Sequence, residues 1–123
     1  MSANKTILVV DDESAILRLS RRLLQRHNFQ VLESGSGEAG LRLIQETESG
    51  VDAVLLDLSL PDGEGTDWAR RYREVNPELP IIFFTGSLAP AGWTQQDHLR
   101  NYYLKKPFTP DSIYSVVTEA AGE

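Results

Sequence analysis

The sequence contains no cysteine, and this absence excludes several kinds of chemistry. A chain without thiols has no disulfide framework, no zinc–thiolate cluster and no cysteine nucleophile. Its 123 residues are 41% hydrophobic and 24% charged, which is ordinary globular usage. A chain of this length buries enough surface for one core without a structural metal. We therefore expect a single domain over residues 1–123, with its core at about 6–121.

Long apolar runs and an excess of basic residues are also absent. No apolar run approaches the length of a membrane span, and the segment 1–5 is too short and polar for a signal peptide. These features predict a cytoplasmic protein that does not contact a membrane. The net charge of −6 argues against general affinity for a nucleic-acid backbone, so we expect no direct nucleic-acid partner.

Short apolar runs alternate with helical patterns along the chain. The apolar runs predict five strands, at 7–10, 29–33, 54–56, 81–84 and 102–104. Regular alternation of strand and helix predicts an α/β fold with a parallel sheet covered by helices on both faces.

Four segments show helical periodicity, and their apolar positions are expected to face the core. These positions are Ile16, Leu19 and Leu23 in the first helix, Leu41 and Ile44 in the second, Trp68, Tyr72 and Val75 in the third, and Ile113, Val116, Val117 and Ala120 in the last. Thr109 is expected to cap the last helix, and Pro110 suits its first turn. The segment 87–100 carries Pro90 and Gly92 and lacks a sustained apolar stripe, so a fourth helix there is expected to be short or mobile.

Polar residues follow four of the predicted strands at the point where each strand ends. They are Asp11 and Asp12, Asp57, Thr85 and Gly86, and Lys106. The carboxyl edge of an open parallel sheet is where ligands bind, so these groups are expected to lie close together.

The residue types in this group suit phosphoryl transfer. Three carboxylates at close range repel one another, and a cluster of hard oxygen ligands favours Mg²⁺, with Mn²⁺ possible. One aspartate can accept a phosphoryl group as an acyl phosphate if cations neutralise the transferring oxygens, and Lys106 supplies a fixed cation. Thr85 adds a hydroxyl donor, and Gly86 leaves the backbone open to phosphate.

Each of these signals also has a purely structural explanation when taken alone. The pair Asp11–Asp12 can cap the following helix, Asp57 can begin a polar loop, Thr85 is a common strand residue, and Lys106 can be a solvated side chain. Their coincidence at four strand ends favours a joint site.

At these residues the sequence resembles the receiver domain of two-component response regulators, and in particular chemotaxis-type receivers, from Thr6 to Ala121. The resemblance is carried by the acidic pair within 9–13, the acceptor segment 56–65, Thr85, and the segment 103–108. It implies a doubly wound, flavodoxin-like (βα)5 fold whose five parallel strands lie in the order 2-1-3-4-5.

The resemblance also assigns roles to individual residues. Asp57 is expected to accept phosphate from a histidine kinase or histidine phosphotransferase. Asp12 and Asp57 would ligate Mg²⁺ directly, Asp11 would act mostly through water, and the backbone carbonyl of Ser59 would complete the protein ligands. Lys106, which immediately precedes a proline, matches the family lysine, and the peptide bond after it is commonly cis in the family.

A switch is implied as well. Thr85 would turn toward the phosphoryl group, Tyr103 would pack inward behind it, and Gly86 and Ser59 would contact the phosphate. The surface of the fourth helix, fifth strand and fifth helix would then report the state to a downstream effector, either a partner protein or sequence outside this chain.

Two other functions remain open from the sequence. One is a receiver-fold interaction module that works without phosphorylation, which an irregular fourth helix would suit. The other is a magnesium-dependent aspartyl phosphohydrolase acting on external substrates. Such enzymes commonly carry a second acid two residues after the nucleophile, where this chain has Ser59. The main expectation is a switch whose only catalysis is phosphoryl transfer to, and hydrolysis from, its own Asp57.

Overall fold

A computed structural model describes residues 4–86 and 100–122 of the chain. Within these residues a main sheet is formed by β1 (Thr6–Val10), β2 (Gln30–Ser34), β3 (Ala53–Asp57), β6 (Ile81–Thr85) and β7 (Asn101–Lys105). A short two-stranded ribbon is formed by β4 (Ser59–Leu60) and β5 (Gly63–Glu64). The helices are α1 (Ser14–Gln25), α2 (Gly37–Glu46), α3 (Gly65–Val75) and α4 (Pro110–Ala121).

The five strands of the main sheet are parallel and lie in the order β2-β1-β3-β6-β7. Counted within this sheet alone, the order is 2-1-3-4-5, so the predicted fold and strand order are confirmed. The strand order reverses direction between β1 and β3, which is the position in an open parallel sheet where ligands commonly bind. The cis peptide bond expected between Lys106 and Pro107 is also present.

The core has two layers because alternate side chains of each strand point to opposite faces. Ile7 and Val9 of β1 belong to a cluster completed by side chains of α1 and α4. Leu8 and Val10 belong to a second cluster, completed by α2 and α3. Both faces of the sheet are thus covered by helices, and its central strands β1, β3 and β6 are largely apolar on both sides, as a buried parallel sheet requires.

The helix ends agree well with the sequence prediction, but two apolar positions do not. Thr109 caps α4 by accepting a hydrogen bond from the Ser112 N–H, and α4 begins at Pro110 as expected. Leu19 and Val75, predicted to face the core, are 40% and 43% exposed. The buried side chains of α1 form a stripe centred on Ser20. Leu19 is one residue earlier, so its side chain points about 100° away from the centre of that stripe. Val75 is the last residue of α3.

Two further sequence predictions concern the fourth helix and the absence of a membrane-spanning helix. The proposed fourth helix at 87–100 lies outside the described residues, except for Arg100 at its end. Among residues 4–86 and 100–122, none of the helices is both long and apolar enough to cross a membrane.

Helices α2 and α3 are packed closely through small residues on one helix and large rings on the other. The Tyr72 hydroxyl donates a hydrogen bond of 2.9 Å to the Gly37 carbonyl oxygen. A Cβ atom at Gly37 would overlap the Trp68 ring, and one at Gly40 would lie 2.5 Å from the Tyr72 hydroxyl oxygen. Because both rings are buried, α2 has little freedom to move relative to α3.

Gly65 makes an equally close approach where α3 starts beside the end of β3. Its N–H donates a 2.8 Å hydrogen bond to the Leu58 carbonyl oxygen. A Cβ atom here would overlap the carbonyl oxygen of Asp57 and would lie 2.9 Å from Leu58 Cα. Both of these neighbours are backbone, so they cannot rotate away as a side chain would.

We therefore expect Gly65→Ala to lower the free energy of unfolding by about 1–3 kcal/mol, because the added methyl group overpacks a rigid site. Gly35→Ala is the matched control, since no atom lies within 4 Å of a Cβ atom at that exposed position. Urea denaturation of both variants measures the difference. Equal stability of the two variants would contradict this account of Gly65.

Candidate functional site

Three carboxylates meet at the carboxyl edge of the main sheet. Asp11 directly follows β1, Asp12 comes next, and Asp57 is the last residue of β3. One oxygen from each residue can be chosen so that all three lie within 4.8 Å of one another. β1 and β3 are hydrogen-bonded neighbours, so the topology brings together residues that are 45 or more positions apart in sequence. We call these three residues the acidic cluster.

Lys106 lies against the acidic cluster just after the end of β7. Its Nζ donates a 2.8 Å hydrogen bond to Asp11 Oδ2 and lies 3.6 Å from Asp57 Oδ2. It also donates a 3.3 Å hydrogen bond to Glu13 Oε1. The lysine side chain is only 16% exposed, and its Nζ stands 5.5 Å from the centre of the Phe84 ring. The neighbouring Lys105 is exposed.

The environment of Asp57 disfavours its charged form. Burial raises the pKa of the Asp57 carboxyl, and repulsion from the Asp11 carboxylate raises it further. The Ser59 N–H, which donates to Asp57 Oδ1 at 3.3 Å, and the Lys106 ammonium act in the opposite direction without outweighing these effects. Three carboxylates face the single ammonium group of Lys106, so the acidic cluster carries more negative charge than this lysine neutralises.

Lys106 is held in its charged form by the same neighbours. Burial alone would lower the pKa of its ammonium group, but the hydrogen bond from Nζ to Asp11 and the charges of Asp11 and Asp57 raise the pKa above its ordinary value. The lysine is therefore a cation at neutral pH.

Asp11 and Asp12 have different surroundings although they are adjacent. Asp11 is fully buried, and its two carboxylate oxygens accept hydrogen bonds from the Glu13 N–H and from Lys106 Nζ. Asp12 is exposed, and no hydrogen bond or ion pair engages its carboxylate within the described part of the chain. The Asp12 oxygens are thus the ones most open to an incoming cation.

The remaining predicted site residues surround this edge. Ser59 is exposed two residues after Asp57, in the ribbon, and Gly86 is exposed with open space where a Cβ atom would stand. The backbone of Thr85 ends β6 and pairs with Lys105. Tyr103 is partly buried in β7, with its ring stacked on Phe83 at 6.0 Å between centroids.

One contact in the site was not predicted from the sequence. Glu13, the residue before α1, accepts a hydrogen bond from Lys106, which lies 93 positions away in the sequence. The sequence shows Glu13 only as part of an acidic motif. Its side chain makes no capping hydrogen bond to α1. A third acid directly after the acidic pair was the available signal, but it does not reveal which cation that acid contacts.

The acidic cluster chemically fits a hard divalent cation. It offers carboxylate oxygens and no nitrogen or sulfur ligand, and one of its members is open to solvent. The surplus of negative charge supplies the driving force for cation binding.

The raised pKa of Asp57 makes its ionisation unfavourable to folding. The folded state holds this proton more tightly than the unfolded state, so stability falls as the pH rises from the unfolded pKa of Asp57 to its folded pKa. We expect Asp57→Asn to raise the free energy of unfolding at pH 7 by about 1 kcal/mol without divalent cations, and the gain to shrink toward about pH 4. Urea denaturation at both pH values measures it. The exposed Asp67→Asn is the control, and a destabilised Asp57→Asn protein would contradict the prediction.

Comparison with known proteins identifies the family to which this chain belongs. The model of the response regulator receiver domain family matches residues 7–118. The transcriptional regulatory protein ResD of Bacillus subtilis is 35% identical over 108 residues, which cover 87% of this chain and 44% of ResD. The sensor kinase CckA of Brucella abortus is 29% identical over an alignment covering 97% of this chain and 13% of CckA. The chain thus spans less than half the length of these curated relatives.

Solved structures show the same fold. A CheY-like response regulator receiver domain protein from Methanospirillum hungatei superposes with a TM-score of 0.85 at 26% identity, covering 97% of this chain and 94% of that one. A receiver domain protein from Clostridium thermocellum superposes with a TM-score of 0.79 at 29% identity, covering 96% and 94%. The family match extends over most of the chain and includes every element of the main sheet. This chain belongs to the response regulator receiver domain family.

Proposed function

We propose that this receiver domain is a phosphorylation switch of a two-component or phosphorelay system, in which Asp57 accepts a phosphoryl group from a histidine kinase or histidine phosphotransferase. The observation that carries the proposal is the position of Lys106, whose Nζ lies 3.6 Å from Asp57 and 2.8 Å from Asp11. A nucleophilic carboxylate, a fixed cation and two further acids at one sheet edge are the parts that acyl-phosphate chemistry needs.

The proposed cofactor is Mg²⁺, with Mn²⁺ as a substitute. Asp12, Asp57 and the backbone carbonyl of Ser59 would hold it directly, and Asp11 would act mostly through water. When bound, the cation neutralises charge on the transferring phosphoryl oxygens and on the acidic cluster. The contacts of Asp11 support its water-mediated role, since its two carboxylate oxygens already accept hydrogen bonds from the Glu13 N–H and from Lys106 Nζ.

In the proposed transfer, an Asp57 carboxylate oxygen attacks the phosphorus of a phosphohistidine. The new O–P bond forms as the P–N bond breaks, and the electron pair of that bond stays on the imidazole nitrogen of the donor. Lys106 stabilises the negative charge on the phosphoryl oxygens through its ammonium group. Hydrolysis of the resulting acyl phosphate returns Asp57 to its carboxylate form, so the catalysis acts only on the domain itself.

The response to phosphorylation is assigned to Thr85 and Tyr103. Thr85 would turn toward the phosphoryl group, Gly86 and Ser59 would contact its oxygens, and Tyr103 would repack behind Thr85. The surface around β7 and α4 would then present the changed state to a downstream effector. Support comes from the register, which pairs Thr85 with Lys105 and Phe83 with Tyr103 on adjacent strands.

We infer that residues 1–123 act as one receiver unit in the cytoplasm, without direct contact to nucleic acid or membrane. The net charge of −6 disfavours contact with the nucleic-acid backbone.

The test is intact-mass spectrometry after incubation with acetyl phosphate and Mg²⁺. We expect one phosphoryl adduct on the wild-type protein, no adduct on Asp57→Asn, and none when the divalent cation is chelated. Lys106→Ala should form the adduct about 100-fold more slowly, because the charge on the transferring oxygens is no longer neutralised.

Lys105→Ala is the matched control for Lys106, since it removes an adjacent exposed lysine that lies outside the site. It should form the adduct within about twofold of the wild-type rate. An adduct that persists in Asp57→Asn would refute Asp57 as the acceptor. A folded wild-type protein that forms no adduct with acetyl phosphate or a phosphohistidine donor would favour a module that works without phosphorylation.

A further inference from the structure

The loop at 58–64, which joins β3 to α3, carries Ser59 and is mostly exposed. Its residues 61–64 are all exposed, and Leu60 supplies its main buried side chain. The short ribbon pairs Ser59 with Glu64 and Leu60 with Gly63, which places Asp62 in the turn that joins the two strands. Burial alone therefore gives the tip of this loop little support, although the proposed metal ligand Ser59 lies in the same ribbon.

Asp62 connects this loop to a different helix. Its Oδ1 accepts a 2.9 Å hydrogen bond from the Gly37 N–H, and its Oδ2 accepts a 3.0 Å hydrogen bond from the Glu38 N–H. These are the first two N–H groups of α2. Slight burial would raise the pKa of the Asp62 carboxyl, but the two N–H donors lower it below its ordinary value, so the carboxylate that makes these bonds is ionised at neutral pH.

Helix α2 does not depend on Asp62 alone for its cap. The Ser36 hydroxyl accepts a 3.2 Å hydrogen bond from the Ala39 N–H, and the Ser36 carbonyl oxygen accepts one of the same length from the Gly40 N–H. Ser36 therefore caps the helix from within its own segment. Asp62 adds a second cap, which ties a loop 25 positions away to the same helix end.

Helix α2, to which the Asp62 carboxylate is hydrogen-bonded, is held tightly against α3. α2 is held against α3 by the contact of the Tyr72 hydroxyl with Gly37 and by the close fit of the Trp68 ring. Trp68 Nε1 also donates a 3.3 Å hydrogen bond to the Asp62 carbonyl oxygen. Both the backbone and the side chain of Asp62 are thus fixed to the α2–α3 pair.

We propose that Asp62 is a positioning residue for the metal site: by fixing the turn of the ribbon to α2, it holds the Ser59 carbonyl in place to ligate the cation. This inference rests on the proposed function, which places a divalent cation at the acidic cluster and Ser59. Asp62 itself does not touch the cation. It acts through the ribbon, whose two strands connect the turn that contains Asp62 to Ser59.

The test is isothermal titration of Mg²⁺ into the wild-type protein and into Asp62→Ala and Ser36→Ala. Loss of an outer contact that orients a ligand typically weakens metal affinity about 10-fold or more, so we expect a Kd for Mg²⁺ about 10-fold higher in Asp62→Ala. Ser36→Ala removes a cap from the same helix but leaves the loop tethered, and its Kd should remain within about twofold of the wild type.

Two further measurements separate positioning from stability. Asp62→Asn keeps one acceptor oxygen, so its Kd should lie between those of the wild type and Asp62→Ala. Hydrogen exchange of the Gly65 amide, which bonds to Leu58, should become faster in metal-free Asp62→Ala and remain unchanged in Ser36→Ala.

A wild-type protein that fails to bind Mg²⁺ would refute the proposed metal site itself. If the wild type binds Mg²⁺ and Asp62→Ala binds it equally well, only the positioning role fails. A Kd raised equally in Asp62→Ala and Ser36→Ala would show that capping of α2, and not the tether to the loop, supports the site, which would also overturn the inference.

Discussion

The charge balance around Lys106 is the interaction on which the site depends. The fold places three carboxylates within 4.8 Å of one another and sets one buried ammonium group against them. Asp11, fully buried, is stabilised by a hydrogen bond from that lysine and another from the Glu13 N–H. The lysine does not neutralise the whole cluster, and the pKa of Asp57 is raised, first by burial and then by repulsion from Asp11. A bound divalent cation or a transferring phosphoryl group would change this balance of charges.

The parallel sheet makes this arrangement possible. The central strands β1 and β3 are buried on both faces, and the polar residues at their carboxyl ends lie at the same edge of the sheet as those that follow the outer strand β7. The tight α2–α3 contact and the close approach of Gly65 to β3 then restrict the loop that carries Ser59. Rigid helices around a repulsive acidic centre are consistent with a site in which stability is given up for function.

The sequence predicted the fold and the meeting of Asp11, Asp12, Asp57 and Lys106 at one edge of the sheet, because both follow from local patterns. Apolar runs identify the strands, and a polar residue after a run marks the end of that strand. The exposed side chains of Leu19 and Val75 show where such patterns fail, since the angular position of a buried stripe and the last turn of a helix depend on what packs there. Contacts between distant residues have no local signature. Glu13 with Lys106, and Asp62 with the start of α2, emerged only from the structure.

The acidic cluster carries surplus negative charge, and a bound divalent cation would relieve it. A ligand that binds only the folded state raises the free energy of unfolding in proportion to the logarithm of its concentration once it is above its Kd. The most direct measurement is thermal unfolding with increasing Mg²⁺ at constant ionic strength, for the wild type and for Asp12→Asn, which alters an exposed member of the cluster. We expect the Tm to rise steadily with Mg²⁺ in the wild type and much less in the variant. An unchanged wild-type Tm, or an equal rise in both proteins, would contradict it.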